Sequence, residues 1–165
     1  MQEHQWSLIR DGGDARADDG SLVHFDLFVE AGLREWQGIH RGIVAPKCVA
    51  AEGPVPKIWA GTGLKQCVIS LLDNAHRASP NEISMRLSWT EDYAELLIAD
   101  RGPGLSVEIR PWLGKRPATT RSGEGLGIGA LLAVATAERL GGTLNFQEAR
   151  EGGVVAQFVL PVHPK

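Results

Sequence analysis

The sequence predicts a two-layer α/β sandwich, a mixed and largely antiparallel sheet with helices on one face. Three features point there. Residues 63–78 repeat apolar side chains at helical spacing, residues 83–89 and 93–99 are adjacent runs of strand period, and residues 143–160 hold two more runs around a double glycine. At 165 residues the chain can bury one core without a metal or disulfide staple.

Residues 11–20 read DGGDARADDG, too poor in apolar side chains to offset their ordering entropy by burial. Residues 1–20 are therefore expected to be a linker, or the frayed end of an upstream helix carrying Trp6, Leu8 and Ile9, and residues 21–165 one domain. A short strand is expected at 22–25. Asp26 is then placed to cap a helix whose Leu27, Phe28, Ala31, Leu33 and Trp36 repeat with helical spacing. A strand at 43–50 follows. Pro54 and Pro56 force 52–57 into an extended connection that leads through Ile58 and Trp59 into the helix at 63–78. Pro80 and Asn81 end that helix. Ile83, Met85, Leu87 and Trp89 alternate with polar residues, Glu91 and Asp92 supply a turn, and the partner strand at 93–99 ends on Asp100-Arg-Gly-Pro-Gly104. Periodicity then stops until about Gly125, and a connection of that length in a small domain is expected to be a lid, at about 105–124. A helix at 126–140, closed by Gly141 and Gly142, and a hairpin turning at Glu151-Gly-Gly153 complete the chain.

Composition narrows the function classes. A net charge of -3 with interspersed signs offers no basic stripe for a nucleic-acid backbone. No apolar run approaches the ~18 residues of a membrane span, and residues 1–20 are too polar for a signal peptide, so no direct membrane contact is expected. Cys48 and Cys67 form no CxxC pair or disulfide framework, fit a reducing compartment, and read as small buried hydrophobes.

Three segments carry chemistry. On the 63–78 helix, Leu64, Cys67, Val68, Leu71, Leu72, Ala75 and Ala78 gather on one face, and Ser70, Asn74 and Arg77 on an adjoining stripe. That spacing presents a hydroxyl, a hard amide oxygen suited to Mg²⁺ and a cation suited to phosphate, although it also suits a solvated flank. Asp100 sits just past a strand, where its carboxylate can accept from a base amino group while glycines allow close approach; a simple turn former has the same composition. Gly123-Glu-Gly-Leu-Gly-Ile-Gly129 opens a helix, whose free N–H groups and dipole form an anion site, unless it is only a hinge. It is neither a dinucleotide fingerprint, lacking a preceding strand, nor a Walker loop, lacking GKS or GKT.

In that order, the strings LLDNAHRA, DRGPGL and TTRSGEGLGIG resemble the N box and the two glycine boxes of the Bergerat-type (GHKL) ATPases, specifically the catalytic ATP-binding domain of two-component sensor histidine kinases. ERLGGTLNF and GGVVAQFVLP resemble that domain's closing helix end and hairpin, so the likeness runs from about Ser21 to Pro161. It implies ATP and Mg²⁺ as cofactors. It implies Asn74 as the metal ligand, Ser70 and Arg77 beside the phosphates, Asp100 as the adenine reader, and Gly102, Gly104 and Leu105 shaping the base pocket. Gly123, Gly125, Leu126 and Gly127 would hold the phosphates. Thr119, Thr120 and Arg121 resemble a threonine-threonine-basic lid motif, with Arg121 on the γ-phosphate and Lys115 a further candidate. Asn74, Arg77 and Arg121 are the implied catalytic residues.

The resemblance is incomplete in places. Ser70 stands where histidine kinases usually carry asparagine and where the gyrase, chaperone and mismatch-repair ATPases place a water-activating glutamate. Serine cannot be that base, which disfavours efficient hydrolysis, and an anti-sigma-factor serine kinase too. Ala78 replaces the usual aromatic, and the phenylalanine-rich lid box is reduced to Trp112. None of His4, His24, His40, His76 and His163 lies in an acceptor-type motif, and His24 and His76 read as structural or exposed. The implied partners are thus an upstream dimerisation domain bearing the acceptor histidine and a response regulator, in a cytoplasmic piece of an inner-membrane-anchored parent. The alternative is a nucleotide-sensing or scaffolding module that transfers nothing.

Overall fold

In the computed structural model, which describes residues 20–105, 110 and 128–163, helices and strands follow the expected order with one added strand. β1 (Ser21–His24) runs directly into α1 (Phe25–Ile39). Asp26 does not cap α1. The helix begins two residues earlier, with His24 in the cap position and Phe25 N–H taken by Pro56 O at 2.9 Å, and Asp26 sits in the first turn, where its Oδ1 accepts Leu27 N–H at 2.7 Å near the positive helix end. The buried face of α1 is Phe25, Phe28, Val29, Gly32 and Trp36. Leu27 and Ala31, expected on that face, are exposed, since Gly32 supplies the close approach: a Cβ there would lie 3.2 Å from Val68 Cγ1.

The strand expected at 43–50 shrinks to β2 (Lys47–Ala50), because Pro46 has no N–H to pair. Ile58 and Trp59 do not lead into a helix. They lie in β3 (Lys57–Ala60), antiparallel to β1, and bury alternate side chains, Ile58 and Ala60, as a strand does. α2 (Thr62–Ala78) follows after Gly61. β4 (Ser84–Trp89) and β5 (Tyr93–Ala99) form a hairpin. Beyond the segment that lies outside the described residues, α3 (Ile128–Arg139) leads to β6 (Thr143–Glu148) and β7 (Val154–Pro161). α3 ends as its glycines predict: Gly141 has φ +79° and Gly142 N–H reaches Ala137 O at 2.8 Å.

The large sheet has the order β2-β4-β5-β7-β6, parallel only at β2-β4. Its register lines up Leu87, Leu96, Phe158 and Leu144 across four strands, with Met85, Ile98 and Ala156 in the next row. These side chains and the inward faces of α1, α2 and α3 share one core. The outer face carries polar pairs instead, including Gln157 Nε2 donating to Glu95 Oε2 at 2.7 Å. Cys67 is buried between α2 and α3 as expected, and burial raises its thiol pKa. Cys48 is exposed on edge strand β2, contrary to the expectation, because nothing covers that edge among the described residues. No helix among the described residues is long and apolar enough to cross a membrane.

Phe158 is 1% exposed at the centre of the aligned row. Phe158→Ala is expected to cost about 3–5 kcal/mol, read as a lower urea midpoint with an unchanged m-value.

Candidate functional site

The site is organised by α2. Steps of four residues, from Ser70 to Asn74 to Ala78, each advance about 6 Å and rotate only about 40°, so the three form one stripe. At one end Ser70 meets the first turn of α3: a Cβ on Gly129 would lie 3.5 Å from both Cβ and Oγ of Ser70. At the other end Ala78 supports the turn after β5, where a Cβ on Gly102 would come within 2.7 Å of Ala78 Cβ and its carbonyl oxygen. Only glycine fits there. The small Ala78 is the other half of that contact, and it is half-buried against the turn rather than part of the core face.

Asn74 lies between these ends, half-buried, with Nδ2 buried and without a hydrogen-bond partner among the described residues. An unpaired buried amide group costs about 1–3 kcal/mol. Arg77 is exposed and makes no ion pair among the described residues. Asp73, the preceding neighbour of Asn74, anchors α2 to α1: its Oδ1 accepts Trp36 Nε1–H at 2.8 Å and lies 2.7 Å from His40 Nε2. His76 packs edge-on to Trp36, with ring centroids 5.6 Å apart, so its role is in this interface.

Asp100 closes the far end. It is 7% exposed, and its backbone N–H donates to Val154 O at 3.0 Å. Its Oδ1 accepts two backbone N–H groups, from Gly102 at 2.9 Å and Val154 at 3.1 Å, while Oδ2 has no partner among the described residues. Burial pushes the carboxyl pKa up, and those two amides pull it partly back. Gly104 takes φ +82°, and Leu105 is half-buried behind it. Thr119, Thr120, Arg121, Gly123, Gly125, Leu126 and Gly127 lie outside the described residues, as do Trp112, Lys115 and Arg116.

Sequence reading missed the residue that holds Asp100 in place. Gly153 has φ +90°, and a Cβ on it would overlap the Asp100 carbonyl and come within 2.8 Å of Oδ1. The signal was the double glycine, read only as a hairpin turn. Arg110 and Glu148, paired at 2.6 Å beside Gly104, were also not singled out.

The pattern described as Histidine kinase-, DNA gyrase B-, and HSP90-like ATPase matches residues 60–164, which contain α2, the Asp100 turn, α3 and the closing hairpin. The chain belongs to this family. It is a catalytic ATP-binding domain of the sensor histidine kinase type, as its relatives also indicate. The signal transduction histidine-protein kinase/phosphatase MprB of Mycolicibacterium vanbaalenii is 32% identical over 98% of this chain and 36% of its own length. The sensor protein kinase CarS of Pseudomonas aeruginosa is 31% identical over 98% of this chain and 37% of its own. The chain thus spans little more than a third of these relatives. Among solved structures, a mycobacterial sensor histidine kinase MprB superposes with a TM-score of 0.72 at 23% identity, over 88% of this chain and 100% of that one. The catalytic domain of histidine kinase ThkA gives 0.74 at 21% identity, over 88% and 99%. At these identities the structures speak for the fold, a mixed sheet layered with helices.

The Asp100 carboxyl yields a pH prediction. Its folded pKa is raised above the unfolded value, so just above the ordinary Asp range the folded state binds more protons. Stability therefore falls as pH rises through that window and stays lower above it. Asp100→Asn keeps an Oδ1 acceptor for both amides and removes the buried charge. In urea unfolding at pH 7 the variant is expected to be at least as stable as wild type, with its advantage shrinking as pH approaches about 3.9.

Proposed function

We propose that the chain binds Mg-ATP along α2 and donates the γ-phosphate to a histidine on a separate dimerisation domain of a two-component sensor kinase. The observation that carries this reading is the state of Asp100. With Oδ1 saturated by two backbone amides and Oδ2 free of partners among the described residues, it offers one fixed acceptor to one external donor, such as the adenine amino group. Gly102 and Gly104 keep side chains away from the base, and Leu105 adds an apolar wall.

From that end the nucleotide would run along the stripe toward Ser70 and the start of α3. Asn74 would hold a Mg²⁺ ion through its amide oxygen, a hard ligand suited to that ion. When bound, such an ion would supply charge neutralisation on the phosphates. Arg77, exposed and without an ion pair among the described residues, is assigned to a phosphate, and Gly123, Gly125, Leu126 and Gly127 to the phosphate loop, with Thr120 and Arg121 assigned to the γ-phosphate. No carboxylate stands on the stripe to activate water. The domain's work is then positioning and electrostatics, which hold the terminal phosphoryl group for in-line attack by the acceptor. Further proposals are that residues 21–165 form the catalytic unit, that the product passes to a response regulator, and that the domain works on the cytoplasmic side of an anchored parent.

Ser70 favours a second reading. A hydroxyl stands there where the resembled kinases usually carry an asparagine, and with Ala78 and the lack of an acceptor-type histidine motif this suits a module that senses ATP or ADP without transferring phosphate.

One experiment separates the two. Mg-ATP at about 100 times its Kd is expected to stabilise wild type by about 2.7 kcal/mol in a thermal shift, and Asp100→Asn to abolish that shift. With γ-labelled ATP and an added acceptor-helix domain, label should appear on histidine. Equal shifts in wild type and variant would refute the adenine assignment, and binding without histidine label would establish the sensing module.

A further inference from the structure

The tip of the β6–β7 hairpin grips the chain leaving β5 at several points. Asp100 is held by Gly153 and the Val154 amide. Arg101 Nη2 reaches Glu151 Oε2 at 3.4 Å, with both side chains largely exposed. The third contact is tighter. Arg110 Nη2 donates to Glu148 Oε1 at 2.6 Å, and that same oxygen would lie 3.3 Å from a Cβ on Gly104. Gly104 itself is held at φ +82°, where a side chain is strained. The Glu148 carboxylate therefore lies against the last glycine of the Asp100 turn and binds a cation six positions further on. The partners are 38 residues apart in sequence, so the pair closes a tertiary contact rather than a local one.

Resting on the Mg-ATP reading, we propose that Glu148 is a positioning residue for nucleotide binding. Its role is exerted through Gly104 and Arg110, without contact to the nucleotide. By lying against Gly104 while pairing with Arg110 it ties the Asp100 turn to the hairpin, and so sets affinity from the adenine end. Two consequences distinguish this from a surface pair with a purely structural role. The loss should fall equally on Mg-ATP and Mg-ADP, because the base end is common to both. It should also depend on the link between the two side chains rather than on either charge alone.

The test is calorimetric titration of Mg-ATP and Mg-ADP into wild type, Glu148→Gln, Arg110→Glu and the exchanged pair Arg110→Glu/Glu148→Arg, with a melting curve for each. Each single variant is expected to weaken both nucleotides by about threefold to fivefold, the scale of a well-formed exposed ion pair, without a matching fall in melting temperature. The exchanged pair should return both affinities to within about twofold of wild type. The proposal is overturned if wild type binds and the single variants bind equally well, if Mg-ATP and Mg-ADP respond differently, or if the exchange does not restore affinity. A wild-type chain that binds neither nucleotide would instead remove the Mg-ATP reading itself, together with this inference.

Discussion

A buried carboxylate is costly unless its hydrogen-bonding needs are met, and much of this domain's architecture follows from keeping Asp100 in that condition. Two backbone amides serve its Oδ1, one from its own turn and one from β7. Both require the backbone to come closer than a side chain permits, which is why Gly102 lies against Ala78 and Gly153 against the Asp100 carbonyl. The order of strands matters for the same reason. β5 pairs with β7, so the end of one strand and the start of the other meet where the carboxylate sits.

α2 connects that fixed point to the rest of the site. Its inward face is held by the core and by Asp73, which receives the Trp36 indole and faces His40. Rotation and translation of the helix are thereby limited, and the stripe of Ser70, Asn74 and Ala78 keeps its distance from both the Asp100 turn and the first turn of α3. A rigid helix with one polar stripe, and neighbours at each end that approach through glycine, is a suitable frame for positioning a reactive group.

The fold and the ingredients of the site were legible in the sequence to different depths. α2, β4 and β5 were readable because their apolar residues keep one period over a whole element. β3 was not, since four residues beside two prolines carry too little periodicity to oppose a helix reading, and only pairing with β1 makes Ile58 and Trp59 a strand. The start of α1 was misread because a tertiary contact, Phe25 to Pro56, decides it in place of the Asp26 cap. Asp100 could be singled out from its turn, yet its partner Gly153 could not, because no local rule links positions so far apart in the chain. Exposure of Cys48 depends on β2 being an edge strand, which is likewise a matter of topology.

The central claim is that the Asp100 turn, the α2 stripe and the start of α3 act as one nucleotide site. Its most direct test is a titration of the isotope-labelled chain with a Mg-bound, non-hydrolysable ATP analogue, followed by NMR at the Gly102 and Val154 amides, the Asn74 side-chain amide and the Gly129 amide. All four signals should move along one saturation curve with a single Kd. Movement of the Gly102 and Val154 signals with no response at Asn74 and Gly129, or two separate curves, would contradict the claim.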